Sequence, residues 1–376
     1  MIGAVGEVIG SGTWAGHVRA CFMAMVIVLG VGCQPELERV QGEHIVYEYS
    51  DELRPCAGNV EFIDGLVPFL EGNLAVTAPR TLSYAWLTDE DVPRGVKRDA
   101  GDMHLAGMAN GREAWGEDPV LVHEVAHLVM GEGESAPFFE EGVATAMDLL
   151  SPSGGGPRYL AEITFDPRET MTAAGSADVD YAAGGLFVSF LLVRHGPERL
   201  RDFYRALTSP FTLERIGGEF QRVYGVSFDA EIETFMEGPP PCEPDHFVMQ
   251  LSECTGATVP WEDERTWRLA ETMSCDTPGV VGGLGGVAPN DAWPSFHAVT
   301  LDVPNDAVYM LEIKTTGKET VRFGRCFGCP WETDDTILFN NTKLPLRLEA
   351  GKYYVRVNGS SDEANDIDVS LRYLFD

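Results

Sequence analysis

The spacing of apolar positions changes once along the chain. From 43 to about 236, apolar residues recur mainly at intervals of three and four, with a few short alternating runs; beyond Gly238-Pro239-Pro240-Pro241-Cys242 the interval falls to two. A repeat near 3.6 marks one buried face of a helix, and a repeat of two marks one buried face of a strand. The first half therefore predicts a strand over 44–49, an amphipathic helix over 59–70, extended chain over 74–87 and a strand over 103–109. Helices are expected between Asp118 and Gly131, around Phe138 to Ala144, and over 181–196, 197–207, 213–224 and 229–236. The second half predicts strands over 296–303, 307–314, 320–325, 336–339, 344–348, 352–358 and 367–374, separated by Gly, Asn, Asp and Pro as in a β-sandwich. Helix cannot run through three prolines, so a boundary falls near Pro241. The chain is thus expected to be α+β: a mixed domain over 43–241 with an α-rich lower lobe, a cysteine-containing connector over 242–290, and a small all-β sandwich over 291–376. Halves that differ in period and meet at a proline run are expected to fold separately.

Ahead of these domains, residues 1–19 are weakly charged and residues 20–32 form a thirteen-residue apolar run. A membrane span needs about 20 residues, so the run has the length of a secretory signal core instead. Leu29-Gly30-Val31-Gly32-Cys33 resembles a bacterial lipobox, with Gly30 where leucine is usual. Residues 1–32 then read as a lipoprotein-type signal peptide, Cys33 as a lipidated N-terminus and 33–42 as a linker; the alternative is that Cys33 is an ordinary exported cysteine. Arg19, directly before the apolar run, suggests a start downstream of Met1.

Charge narrows the partners. The chain carries 59 acidic and 27 basic residues, a formal net charge of −32, and loss of 1–32 removes only Glu7 and Arg19, leaving that figure unchanged. Such a surface repels phosphate backbones and anionic headgroups, which excludes nucleic-acid binding and leaves membrane attachment to a lipid on Cys33. Six further cysteines, Cys56, Cys242, Cys254, Cys275, Cys326 and Cys329, suit up to three disulfides in an oxidising compartment, with fifteen pairings open. Cys326-Phe327-Gly328-Cys329 has zinc-ribbon spacing but no second CxxC accompanies it, so disulfide use is expected there too.

The candidate chemistry sits in Leu121-Val122-His123-Glu124-Val125-Ala126-His127-Leu128. On a helix His123 and His127 project from one face, about 6 Å apart along the axis, which suits a single zinc ion. Asp118 is expected to cap that helix, Pro119 to occupy its first turn and Gly131 to close it. A catalytic zinc needs a third protein ligand and an open position, and Glu124 is placed to take a proton from water. Two histidines and a glutamate also fall into this pattern by chance in roughly one chain in a hundred of this length.

Fourteen residues after His127 comes Phe138-Phe139-Glu140-Glu141-Gly142-Val143-Ala144. HExxH followed by a second helix with Glu-Gly-x-Ala resembles the gluzincin zinc metallopeptidases. That resemblance covers roughly 118–207 and implies that His123, His127 and Glu141 hold zinc, with Glu140 as the fallback, while Glu124 acts as general base. It also implies that a strand near 102–110 pairs with substrate backbone, and that Tyr181, opening a helix closed by Gly196, donates a hydrogen bond to the tetrahedral intermediate. Metzincins want glycine three and histidine six residues after the second ligand, where this chain has Met130 and Gly133. The run 348–359 resembles the β-sandwich domains that follow catalytic domains in secreted bacterial peptidases.

Taken together, these features lead us to expect a peptide or protein substrate, with endopeptidase slightly favoured over aminopeptidase because no motif to anchor a substrate amine is recognisable. The competing expectation is an inactive surface binding or adhesion lipoprotein on the same scaffold. It draws on Thr145, which stands where some gluzincins carry an aspartate that orients a zinc histidine. His104 reads as a strand residue, His195 as a partner of its helix dipole, the glycine-rich loop 151–156 as a flexible connection, and the acidic segment 362–368 as a solvated hairpin in preference to a calcium site.

Overall fold

The computed structural model describes residues 37–78, 81–88, 91–92, 107–131, 135–148, 166–238, 254–284, 294–317, 319–326, 336–339, 341–360 and 363–375. The expected signal peptide, Cys33, His104, the loop 151–156, Cys242 and Cys329 lie outside them. Among the described residues no helix is long and apolar enough to cross a membrane.

The first half is built on a mixed sheet. Strands β1 (Leu37–Gln41) and β2 (Ile45–Ser50) are followed by the two-residue β3 (Arg54–Pro55), helix α1 (Asn59–Leu74), and strands β4 (Leu82–Trp86), β5 (Gly107–Asn110) and β6 (Glu113–Gly116). The sheet order is β1-β2-β4-β6-β5, with β2, β4 and β6 parallel and an antiparallel strand at each edge. Alternation turns Ile45, Tyr47, Leu82, Tyr84 and Trp86 into the core, where each is at most 1% exposed. Helix α1 packs on that core through Ile63, Leu66, Val67, Leu70 and Leu74, the expected helical face. It runs four residues past the expected end, to Leu74, and stops at Ala75 with φ +51°; only 82–86 of the stretch expected to be extended forms a strand.

The α-rich lobe follows: α2 (Val122–Met130), α3 (Pro137–Asp148), α4 (Tyr181–His195), α5 (Pro197–Ala206), α6 (Leu213–Tyr224) and α7 (Phe228–Met236). Side chains of Asp180, Thr212 and Ser227 cap α4, α6 and α7 by accepting from Ala183, Arg215 and Ala230 amides. Its core is aromatic. Phe139, Phe187, Phe203, Phe220 and Phe235 meet neighbouring rings edge to face at 5.0–5.4 Å, the geometry favoured by the ring quadrupole.

The second half is a β-sandwich of β7 (Thr266–Met273), β9 (Pro294–Val303), β10 (Ala307–Thr315), β11 (Thr320–Arg325), β12 (Thr336–Phe339), β13 (Lys343–Leu348), β14 (Gly351–Ser360) and β15 (Asn365–Phe375), with a two-residue β8 (Gly283–Leu284) before β9. The antiparallel sheets run β13-β10-β15-β7 and β12-β11-β14-β9. Their facing residues, among them Trp267, Tyr309, Leu311, Val355 and Val369, share one core. Thr266–Met273, in the stretch expected to be connector, is an edge strand paired along its length with β15. In the acidic segment, Asp368 pairs with Arg268 at 2.8 Å and the Asp366 carboxylate accepts from Thr272 Oγ1, so these carboxylates serve cross-strand contacts, while the Asp366 amide donates to Thr316 Oγ1.

The two halves are joined at a seam. Cys56 is bonded to Cys275, 219 residues away, and β3 pairs with β8. The amides of Cys56, Ala57 and Gly58, at the start of α1, donate to the carbonyls of Gly282, Cys275 and Val280. Phe62 meets Phe296 edge to face at 5.5 Å, and Arg54 pairs with Asp276. A second disulfide, Cys254–Cys326, lies within the sandwich half beside Tyr354. Two disulfides fit an extracytoplasmic protein.

Candidate metal centre

The chain reaches α2 differently from the sequence expectation. Asp118 does not cap it: the N-cap is Leu121 in extended conformation, with no side-chain cap, and Pro119 precedes the helix. The approach is fixed instead by backbone acceptors. Carbonyls of Glu117, Asp118 and Pro119 take hydrogen bonds from Trp86 Nε1, Tyr84 Oη and Tyr47 Oη at 2.7, 2.8 and 2.8 Å. Gly131 ends the helix as expected, at φ +86° with its amide on the His127 carbonyl.

Helices α2 and α3 bring three expected residues together. His123 Nε2 lies 3.0 Å from Glu141 Oε2, His127 Nε2 lies 3.3 Å from the same oxygen, and the two Nε2 atoms are 3.2 Å apart. Tetrahedral ligands at about 2.0–2.1 Å from one ion stand about 3.3 Å from each other, so the triangle has the size a single metal requires. His123, His127 and Glu141 thus form a group that can hold a metal ion. Their side chains are 17%, 11% and 13% exposed, so each is largely but not wholly shielded from solvent. Burial pushes the Glu141 carboxyl up, but hydrogen bonds and charge from His123 and His127 outweigh this and hold it at about 2.

Glu140 is engaged elsewhere. Its Oε1 accepts the Ser135 amide at 2.8 Å, satisfying a donor just ahead of α3. The adjacent glutamates therefore divide between capping and the metal group.

Glu124 is 8% exposed and faces the edge strand. A Cβ on Gly107 of β5 would stand 2.9 Å from Glu124 Oε1 and 2.7 Å from Leu121 Cδ1; one on Gly116 of β6 would stand 2.4 Å from Leu121 Cδ1 and 2.6 Å from Tyr84 Oη. Both glycines are needed for the sheet to lie against the start of α2. Sequence reading missed them, and missed Tyr47, Tyr84 and Trp86; alternating aromatics in 45–49 and 82–86 were the available signal.

Tyr181 opens α4 at the same place. Its ring, 41% exposed, stacks on His123 with centroids 5.8 Å apart and planes 24° apart. Burial and the charge of Glu141 push its phenol up to about 12, so it remains a proton donor at neutral pH. Close approach of α3 and α4 permits this: a Cβ on Gly142 would lie 2.9 Å from the Gly184 carbonyl, and one on Gly185 2.6 Å from Thr145 Cγ2. Thr145 Oγ1 is buried without a hydrogen-bond partner among the described residues.

His195 has a more specific partner than its helix dipole. Its Nε2 meets Glu231 Oε1 at 2.8 Å, Arg194 meets the same oxygen at 2.7 Å, and its ring packs on Tyr224 at 4.7 Å.

No family model and no curated protein sequence matches the chain. Among solved structures, the pre-peptidase C-terminal domain of a collagenase from Bacillus anthracis is similar at 11% identity over 31% of this chain and 94% of that chain, with a TM-score of 0.22. A periplasmic inhibitor of g-type lysozyme from Aeromonas hydrophila is similar at 11% identity over 31% of this chain and 96% of that one, with a TM-score of 0.21. The sandwich assignment rests on the strand pairing above.

Proposed function

We propose that the protein is an exported metallopeptidase of gluzincin type, holding zinc on His123, His127 and Glu141 and hydrolysing peptide bonds. The observation that carries this reading is the triangle of 3.0, 3.2 and 3.3 Å formed by one atom of each residue, with Glu124 in the same turn of helix. Two imidazoles and one carboxylate are a donor set suited to catalytic zinc. When bound, zinc supplies a Lewis acid that polarises the scissile carbonyl and acidifies water.

The chain's own groups take the remaining roles. Glu124 removes the proton of the attacking water and passes it to the leaving amine. Tyr181, kept protonated beside His123, donates to the oxygen of the tetrahedral intermediate. Among the described residues β5 is an edge strand running past Glu124 at Gly107, and its outer side would offer backbone groups to an extended peptide. An open edge accepts chain on either side of the cleaved bond, which favours an endopeptidase.

Elemental analysis of the purified protein, paired with cleavage of an unfolded protein substrate, tests the proposal. About one zinc per chain and chelator-sensitive cleavage are expected; a metal-free protein that binds no added zinc would sink the reading. The inactive binding scaffold is favoured by one observation, the unpartnered hydroxyl of Thr145. It predicts zinc content without cleavage.

A further inference from the structure

Three consecutive carbonyls lead into α2, and each is held by an aromatic donor with no exposed surface: Trp86, Tyr84 and Tyr47. Two of these donors are themselves held from the C-terminal half. Tyr47 Oη accepts from Asn59 Nδ2 at 3.2 Å, and Asn59 Oδ1 accepts the Gly282 amide at 2.9 Å. Trp86 lies against Gly283, where a Cβ would come within 2.1 Å of the indole Cη2. Asn59 is 0% exposed, so both ends of its amide must find partners inside the protein.

The relay has a direction. With one lone pair of Tyr47 Oη taken by Asn59, the hydroxyl proton is left for the Pro119 carbonyl, 2.8 Å away. Removing Gly282 would leave Asn59 Oδ1 buried and unpaired, and a Cβ on Gly283 would push the Trp86 ring away from Glu117. Either change frees the start of α2. His123 projects one turn beyond Pro119, about 6 Å from the helix axis, so a rotation of about 5° shifts its ligand atom by about 0.5 Å. Metal sites tolerate about 0.2 Å.

We infer that the C-terminal half is a working part of the metal centre: Asn59, Gly282 and Gly283 are positioning residues through which the sandwich side of the seam fixes the lead-in to His123 and His127. The inference rests on the reading of those histidines as metal ligands. It places the sandwich among the determinants of metal affinity, a role that a separately folding appendage would not have.

The test compares Asn59→Ala and Gly283→Ala with Leu311→Ala, a control that opens a cavity in the sandwich core on β10, which makes none of the seam's strand pairings or hydrogen bonds, all in the full-length protein. Zinc affinity is measured by chelator competition, thermal midpoint by melting, and amide exchange over residues 121–127 by mass spectrometry. Asn59→Ala and Gly283→Ala are expected to weaken zinc by roughly 10- to 100-fold and to speed exchange over 121–127. Leu311→Ala is expected to lower the midpoint at least as far while leaving zinc affinity within about twofold. The inference is overturned if both seam variants keep zinc affinity within about twofold of wild type, or if Leu311→Ala weakens zinc as much as they do. Should Asn59→Ala fail to fold, Gly283→Ala decides alone. Were the wild type to bind no zinc, the metal reading would fall, and faster exchange over 121–127 in the seam variants but not in Leu311→Ala would still establish the coupling, its absence refute it.

Discussion

Glu140 and Glu141 are neighbours on one helix with different allegiances, and the difference can be read out by substitution. Glu141→Gln exchanges a carboxylate ligand for a neutral amide and is expected to weaken zinc at least roughly tenfold. Glu140→Ala removes the acceptor of the Ser135 amide and is expected to cost about 1 kcal/mol of stability with zinc affinity intact. Metal loss in the second variant and not the first would reverse the assignment. Glu124→Gln should keep zinc and lower turnover by roughly 10²- to 10⁴-fold; full turnover would remove Glu124 from the mechanism. At this scale the sequence was informative where spacing alone decides, as for His123 and His127, one helical turn apart. Spacing could not separate two adjacent glutamates, and only the resemblance picked Glu141 over Glu140, because their roles depend on which way α3 is turned, with Glu140 on the loop amide of Ser135.

Helices and strands were legible wherever one face is apolar, as in α1 or β10, and several ends were too, as for α6 over 213–224 and β11 over 320–325, but the start of α2 was not. Asp118 has the chemistry of a cap, yet α2 starts at Val122, because the carbonyls of Glu117 to Pro119 are committed to aromatic donors from β2 and β4. Such donors are distant in sequence and leave no local signature. The crossing of α3 and α4 is equally tertiary. Gly142→Ala is expected to lower stability by roughly 1–3 kcal/mol, since its Cβ meets the Gly184 carbonyl and Val188; a melting point equal to wild type would show that the helices can separate freely. Packing of α4 on α7 adds a pH dependence. Burial drives the His195 imidazole below its ordinary value of 6.5, against the pull of Glu231. Protonation then favours the unfolded chain, so this contribution is full above pH 6.5 and is lost as the pH falls through the lower, folded value. His195→Gln should flatten the fall in melting temperature between about pH 7 and 5, and an unchanged slope would assign the acid sensitivity to other groups.

For the molecule as a whole, attachment and assembly are the open variables. A protein with a net charge of −32 has no electrostatic reason to sit on an anionic bilayer, so if Cys33 carries the lipid that the lipobox resemblance implies, Cys33→Ser is expected to move it from the membrane fraction to the soluble one. Wild-type protein found wholly soluble would remove the lipid anchor. The change of period at Pro239 to Pro241 was legible and reads as a division between independent domains; the bonds that cross that division were not, because Asn59, Cys56 and Gly58 look like an ordinary helix start. Those bonds also set a clock. Gly282 lies 223 residues after Asn59, and at roughly 5–20 residues per second a ribosome delivers it about 10–45 s later. Throughout that interval the amides of Cys56 to Gly58, just ahead of α1, and Oδ1 of Asn59 lack their partners, and the helix bearing His123 and His127 is approached by a loop with two of its three aromatic pins unsupported. The nascent chain therefore carries His123 and His127 long before Gly282 and Gly283, about three-quarters of the way along it, are there to brace the loop that leads to them.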